Sequence, residues 1–142
     1  MIEVAHLTKA YPGVLAVDDL SFKVEKGEIV GFLGPNGAGK STTMRILSCF
    51  LAPSSGSAKV AGFDCLTKSM DVRRRVGYLP ESNALYTEMR VEEYLRFRAR
   101  IRGLGGAERE RAGGSALERV SLVDRRGSII AHLSKGLRQR VG

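Results

Sequence analysis

The ten positions after Met1, IEVAHLTKAY, alternate between apolar and polar residues, the period-two pattern of a strand with one buried face. Pro12-Gly13 supplies a turn, and VLAVDDLSFKVEKGE continues as a second strand-rich stretch closing at Lys26-Gly27. The next run, EIVGFLG, is apolar without alternation, which predicts a short buried strand. From Lys40 to about Leu51 the spacing becomes helical, with Met44, Ile46, Leu47 and Phe50 placed to pack on that strand. PSSGS reads as a turn and AKVAGFD as another short strand. VGYLPE, Val76 to Glu81, reads as a strand running into a loop.

Beyond Pro80 the pattern turns helical throughout. EMRVEEYLRFRARIRGL sets Val91, Tyr94, Leu95 and Ile101 near one face, with Thr87 as candidate N-cap and Gly103 as the stop. Ala107 to Val120 predicts a second helix, but Gly113-Gly114 lies inside it. Each interior glycine costs about 1 kcal/mol relative to alanine, so a break or weak helix is expected there. SKGLRQRVG opens a third helix capped by Ser134.

Composition narrows the class only a little. A chain of 142 residues with 43% hydrophobic and 27% charged residues is ordinary for one globular domain. No apolar stretch approaches the roughly 18 residues of a membrane span, and the N-terminus lacks a signal-peptide layout. Cys49 and Cys65 show no metal-ligand spacing, so a reduced, cytoplasmic setting is expected. The net charge of +8, carried largely by sixteen arginines, suits an anionic partner or simply a solvated basic face. The run Arg73-Arg74-Arg75 is read as such a face. His6 and His132 have no partner that the sequence identifies.

Chemistry concentrates in Gly34-Pro35-Asn36-Gly37-Ala38-Gly39-Lys40-Ser41, which fits G-x-x-x-x-G-K-[ST] between a strand and a helix. Glycines let successive backbone N–H groups turn inward around a phosphate. The helix start adds unsatisfied N–H groups and the positive end of its dipole. Lys40 then reaches the β- and γ-phosphates, the Ser41 hydroxyl ligates Mg²⁺, and Thr42 faces the α-phosphate side.

Three stretches in order, KAYPGVLAVDDLSFKVEKGEIVGFLGPNGAGKSTTMRIL, VGYLPE and LSKGLRQR, resemble the ATP-binding subunits of ABC transporters. The likeness runs from end to end and is nearest to the branch serving ABC-2-type exporters and gliding-motility-associated transporters. It implies an α/β fold: a P-loop NTPase core with an N-terminal antiparallel β subdomain and a partial α-helical subdomain. The division expected is 1–81 for the nucleotide-binding core and 82–142 for the helical subdomain with the signature.

The resemblance also implies roles. Tyr11 stands where the family stacks an aromatic ring on adenine. Glu81 occupies the position of a glutamine that meets Mg²⁺, the attacking water and the membrane subunits. Leu133-Ser134-Lys135-Gly136-Leu137 replaces the family's L-S-G-G-Q signature, which serves the ATP of a second subunit in a head-to-tail dimer. ATP and Mg²⁺ are the implied ligands. Transmembrane permease subunits and a second ATP-binding subunit are the implied partners, at the inner face of the cell membrane, with no nucleic acid expected.

In the family an apolar strand ending in Asp-Glu and then a histidine follow the signature helix, and neither occurs before Gly142. The expectation is therefore a chain without the C-terminal catalytic part, with apolar sheet edges uncovered and no general base to name. Two readings follow: the front of an ATPase that drives export, or a nucleotide- or partner-binding chain without turnover. A soluble ABC-type ATPase acting on ribosomes or DNA is the weaker third, since no paired cassette or coiled insertion is visible.

Overall fold

A computed structural model describes every residue from Met1 to Gly142. The chain forms two compact units, Met1–Tyr78 and Leu79–Gly142.

In the first unit, β1 (Ile2–Tyr11) and β2 (Val14–Val24) form a hairpin about Pro12-Gly13. β3 (Ser55–Val60) pairs with the other edge of β1, and β4 (Phe63–Asp64) with β3, so the order is β2-β1-β3-β4, antiparallel throughout. α1 (Lys40–Leu47) packs on β2 and β3. The core gathers Val4, Leu7, Val17, Ile46, Leu47, Ala58, Val60 and Val72.

Strict alternation fails once in β1: Val4 and Leu7 are both buried although three positions separate them. His6 absorbs the extra residue in left-handed backbone (φ 50), opposite Asp19 in the same region (φ 43). Side chains then take the amides that the interrupted ladder leaves. His6 N–H donates to Ser21 Oγ at 2.8 Å and Asp19 N–H to Thr8 Oγ1 at 3.1 Å. His6 Nδ1 and Asp19 Oδ1 lie 2.7 Å apart, the partner that the sequence did not reveal. Gly56 lies so close that a Cβ there would stand 2.1 Å from the His6 carbonyl oxygen.

Four expectations for this unit need correction. EIVGFLG and VGYLPE are not strands: neither run has a ladder partner, and Ile29 and Leu33 stand almost wholly exposed. A strand exists through a ladder of hydrogen bonds to its neighbour, and neither run is part of one, although Phe32 lies 5.7 Å from Phe22 ring to ring and Val76 packs against the core. α1 ends at Leu47, not Leu51. Its last carbonyls are closed by Cys49 N–H to Ile46 O at 2.9 Å and Phe50 N–H to Arg45 O at 2.8 Å, with Cys49 in left-handed backbone (φ 59). Phe50 is consequently outside the core, 71% exposed, its ring 5.8 Å from that of Tyr78. A short helix α2 (Ser69–Arg73), not expected from the sequence, buries Val72.

The second unit holds α3 (Val91–Ile101), α4 (Gly106–Arg119) and α5 (Lys135–Val141) around Val91, Tyr94, Leu117, Leu122, Ile130, Leu133 and Val141. Thr87 does not cap α3. The cap is Arg90, whose N–H donates to Glu93 Oε2 at 2.8 Å. The amides of Val91 and Glu92 donate to the carbonyls of Ser128 and Arg126, both at 3.0 Å, so no hydroxyl cap is needed. Gly103 ends α3 as expected: its N–H donates to Arg100 O and that of Leu104 to Ala99 O. Ile101 is not part of the buried face.

The expected break in α4 does not occur, and the helix runs unbroken through Gly113-Gly114. Tertiary contacts outweigh the glycine cost. Leu117 is buried, and Arg96 on α3 grips Glu110 on α4 through two bonds of 2.8 and 3.2 Å. That grip holds the Glu110 carboxyl below its ordinary pKa.

Candidate functional site

The loop Gly34–Ala38 is exposed and leads directly into α1. Gly39 is the helix cap, in left-handed backbone (φ 79). A Cβ there would stand 2.3 Å from the Ala16 carbonyl oxygen and 3.0 Å from Val17 Cγ2, so β2 presses on the point where loop becomes helix. Gly37 is also left-handed (φ 85). These turns give the loop a curvature that side-chain-bearing residues disfavour, and its backbone amides can then converge on one point.

Lys40, half-buried at the first helical position, bends back over the loop. Its Nζ donates to the Gly34 carbonyl at 2.6 Å and the Pro35 carbonyl at 2.5 Å. An ammonium thus lies against the loop that leads into a helix start, whose first amides have no partner within the helix, an arrangement that can hold an anion. Ser41 is exposed and Thr42 half-buried on the first turn.

Thr43, which sequence reasoning passed over, is buried, and its Oγ1 donates to Gly39 O at 3.0 Å while its amide donates to the same oxygen at 2.8 Å. It fastens the loop exit to the helix. The third hydroxyl of KSTT was the available signal.

Tyr11 ends β1, pairs with Val14 across the hairpin and is 40% exposed. Its strand neighbour Ala10 pairs with Leu15, and Leu15 precedes the Ala16 that touches Gly39. The hairpin end and the loop exit therefore share one end of the first unit. Lys9 Nζ lies over the Tyr11 ring, 5.4 Å from its centroid.

The remaining expected residues lie in the second unit. Glu81 is an exposed loop residue. Leu133 is buried in that unit's core, and Ser134, Lys135 and Gly136 are exposed at the start of α5. Ser134 caps the helix, its Oγ accepting from the Leu137 amide at 3.3 Å, and Leu137 packs against the core. No cluster of three or more His, Cys, Asp or Glu could cage a metal ion. A magnesium ion fits such a site only in the way that ion prefers, through a hydroxyl such as Ser41 together with phosphate oxygens and water. Cys49 and Cys65 are free and buried, and burial together with the Cys49 neighbour pushes the Cys65 thiol up to about 12.

A family model described as ABC transporter matches residues 17–142. A probable multidrug ABC transporter ATP-binding protein of Escherichia coli is 39% identical over 99% of this chain and 24% of its own length. A doxorubicin resistance ATP-binding protein of Mycobacterium tuberculosis is 37% identical over 90% of this chain and 39% of its own length. A solved structure of the ATP-binding subunit of an ABC transporter is 37% identical, with a TM-score of 0.85 over 99% of this chain and 59% of that one. The chain thus spans less than half the length of these two curated relatives. No helix is long and apolar enough to cross a membrane.

Proposed function

The chain belongs to the ABC transporter family, and from that premise we propose that it is the ATP-binding part of a transporter motor, of the exporter branch. The carrying observation is the junction of Gly34–Gly39 with α1, where Lys40 Nζ reaches over the loop that the helix start faces. ATP enters with its polyphosphate in that loop, and Lys40 leaves the carbonyls of Gly34 and Pro35 for the β- and γ-phosphate oxygens. Gly34, Pro35, Asn36, Gly37, Ala38 and Gly39 contribute backbone, Thr42 faces the α-phosphate, and Tyr11 offers its ring to adenine. Mg²⁺, held through Ser41 and approached by Glu81, would supply charge neutralisation for the phosphates.

In the whole transporter, two ATP-binding subunits close head to tail, so that the segment Leu133–Leu137 of one meets the nucleotide of the other. Lys135 brings a cation to that junction where the family's usual spelling has glycine. Permease subunits dock against this pair at the cytoplasmic face of the membrane, and nucleic acid has no part. Hydrolysis is in-line attack of water on the γ-phosphate, with the developing charge met by Lys40 and by Ser134 of the second subunit. The names of the relatives, a probable multidrug transporter protein and a doxorubicin resistance protein, support export as the direction.

The second reading is nucleotide binding without turnover. Among residues 1–142 no carboxylate stands in an Asp-Glu strand context, which is the observation behind this reading. The experiment compares the chain with Lys40→Ala in Mg-ATP binding and in phosphate release. Binding that the variant loses, with equal background phosphate release from both, supports the proposal. Turnover abolished by Lys40→Ala would show a catalytic carboxylate that this account omits, and equal binding by both would sink it.

A further inference from the structure

We propose that Lys9 is a positioning residue for the adenine end of the site, acting through Tyr11; the inference rests on the reading of the loop as an ATP site. Lys9 and Tyr11 are two apart on β1, so their side chains leave the same face of the sheet. The Lys9 ammonium donates to the Ala52 carbonyl at 2.9 Å and lies over the Tyr11 ring at 5.4 Å from its centroid. It joins the loop that follows α1 to the aromatic ring at the hairpin end.

That loop is fastened to β1 at further points. Ser54 N–H donates to Thr8 O at 2.8 Å, and Ala10 N–H donates to Ser54 Oγ at 3.1 Å. Ser54, two residues beyond the Ala52 anchor, is therefore held to β1 through both its amide and its hydroxyl. A cation held over one face of a phenol ring restricts its rotamers and occupies that face. Tyr11 as a whole is 40% exposed, which leaves it accessible to a base. Lys9 thus sets which face of Tyr11 is presented and how firmly, while phosphate binding in the glycine loop proceeds without it.

The division between base and phosphate gives the test. Mg-ATP and inorganic tripolyphosphate are titrated calorimetrically against the chain, Lys9→Gln and Lys9→Arg, with Lys40→Ala as control and melting curves to confirm folding. Lys9→Gln weakens ATP by roughly two- to fivefold and leaves tripolyphosphate unchanged, and Lys9→Arg, which keeps a cation over the ring, restores ATP affinity. Unchanged ATP affinity in Lys9→Gln overturns the inference. So does an equal loss for both ligands, which would make Lys9 a support of the fold alone. If the unmodified chain binds neither ligand, or Lys40→Ala binds both as well as it does, the reading of the loop itself has failed and takes this inference with it.

Discussion

A Cβ on Gly39 would stand 2.3 Å from the carbonyl oxygen of Ala16, so the cap of α1 and the second strand of the hairpin meet backbone to backbone. Gly39 is also left-handed, and two separate constraints therefore demand the same residue. Gly39→Ala must push β2 away or distort the loop. The expected loss of stability is about 2 kcal/mol or more, with Mg-ATP binding lost as well. Urea unfolding and ATP titration of the variant check both halves.

Gly113 and Gly114 make the opposite case. Each lies inside an unbroken helix with nothing within 4 Å of where a Cβ would stand. Gly113→Ala and Gly114→Ala should each raise stability by about 0.5–1 kcal/mol, since alanine restricts the unfolded chain and fits without strain. A fall in denaturation midpoint for either would mean that the helix needs glycine for a reason not visible in its packing.

The Cys65 thiol, held up to about 12 by burial and by the neighbouring Cys49, ties stability to alkaline pH. Its pKa is raised in the folded state, so the folded protein keeps this proton where the unfolded chain releases it. The contribution is complete below the unfolded value of about 9 and is lost as pH climbs toward 12. Between pH 8 and pH 10.5 the chain should lose more melting temperature than Cys65→Ala does. Equal losses would remove Cys65 as the cause. Both thiols should also resist a disulfide reagent until the chain unfolds, because both are buried.

Ser134 is the only hydroxyl cap with a side-chain bond in the second unit's helices. Ser134→Ala should cost about 1 kcal/mol of stability. Ser134→Asp retains the cap and should recover most of it, measured as the shift in denaturation midpoint.

How legible the site was depends on how local each part is. The turn from the glycine loop into α1 was readable because it is written in residue types at fixed spacing, and the hairpin because alternation and Pro12-Gly13 are adjacent signals. The start of α3 was not readable: its first amides are taken by the carbonyls of Arg126 and Ser128, some thirty-five positions downstream. The bulge at His6 depended on Asp19, Ser21 and Gly56, three residues distant in sequence that converge in the sheet. EIVGFLG shows the converse limit. An apolar run carries strand propensity, but propensity alone supplies no ladder, and Ile29 and Leu33 remain open.

The most direct test of the central claim is amide hydrogen exchange with and without Mg-ATP, read across Gly34–Thr43. The account predicts slowed exchange at Gly37, Gly39, Lys40 and Ser41 on adding nucleotide, absent in Lys40→Ala. Protection confined to other segments, or the same protection in Lys40→Ala, would contradict the assignment of this loop as the phosphate site.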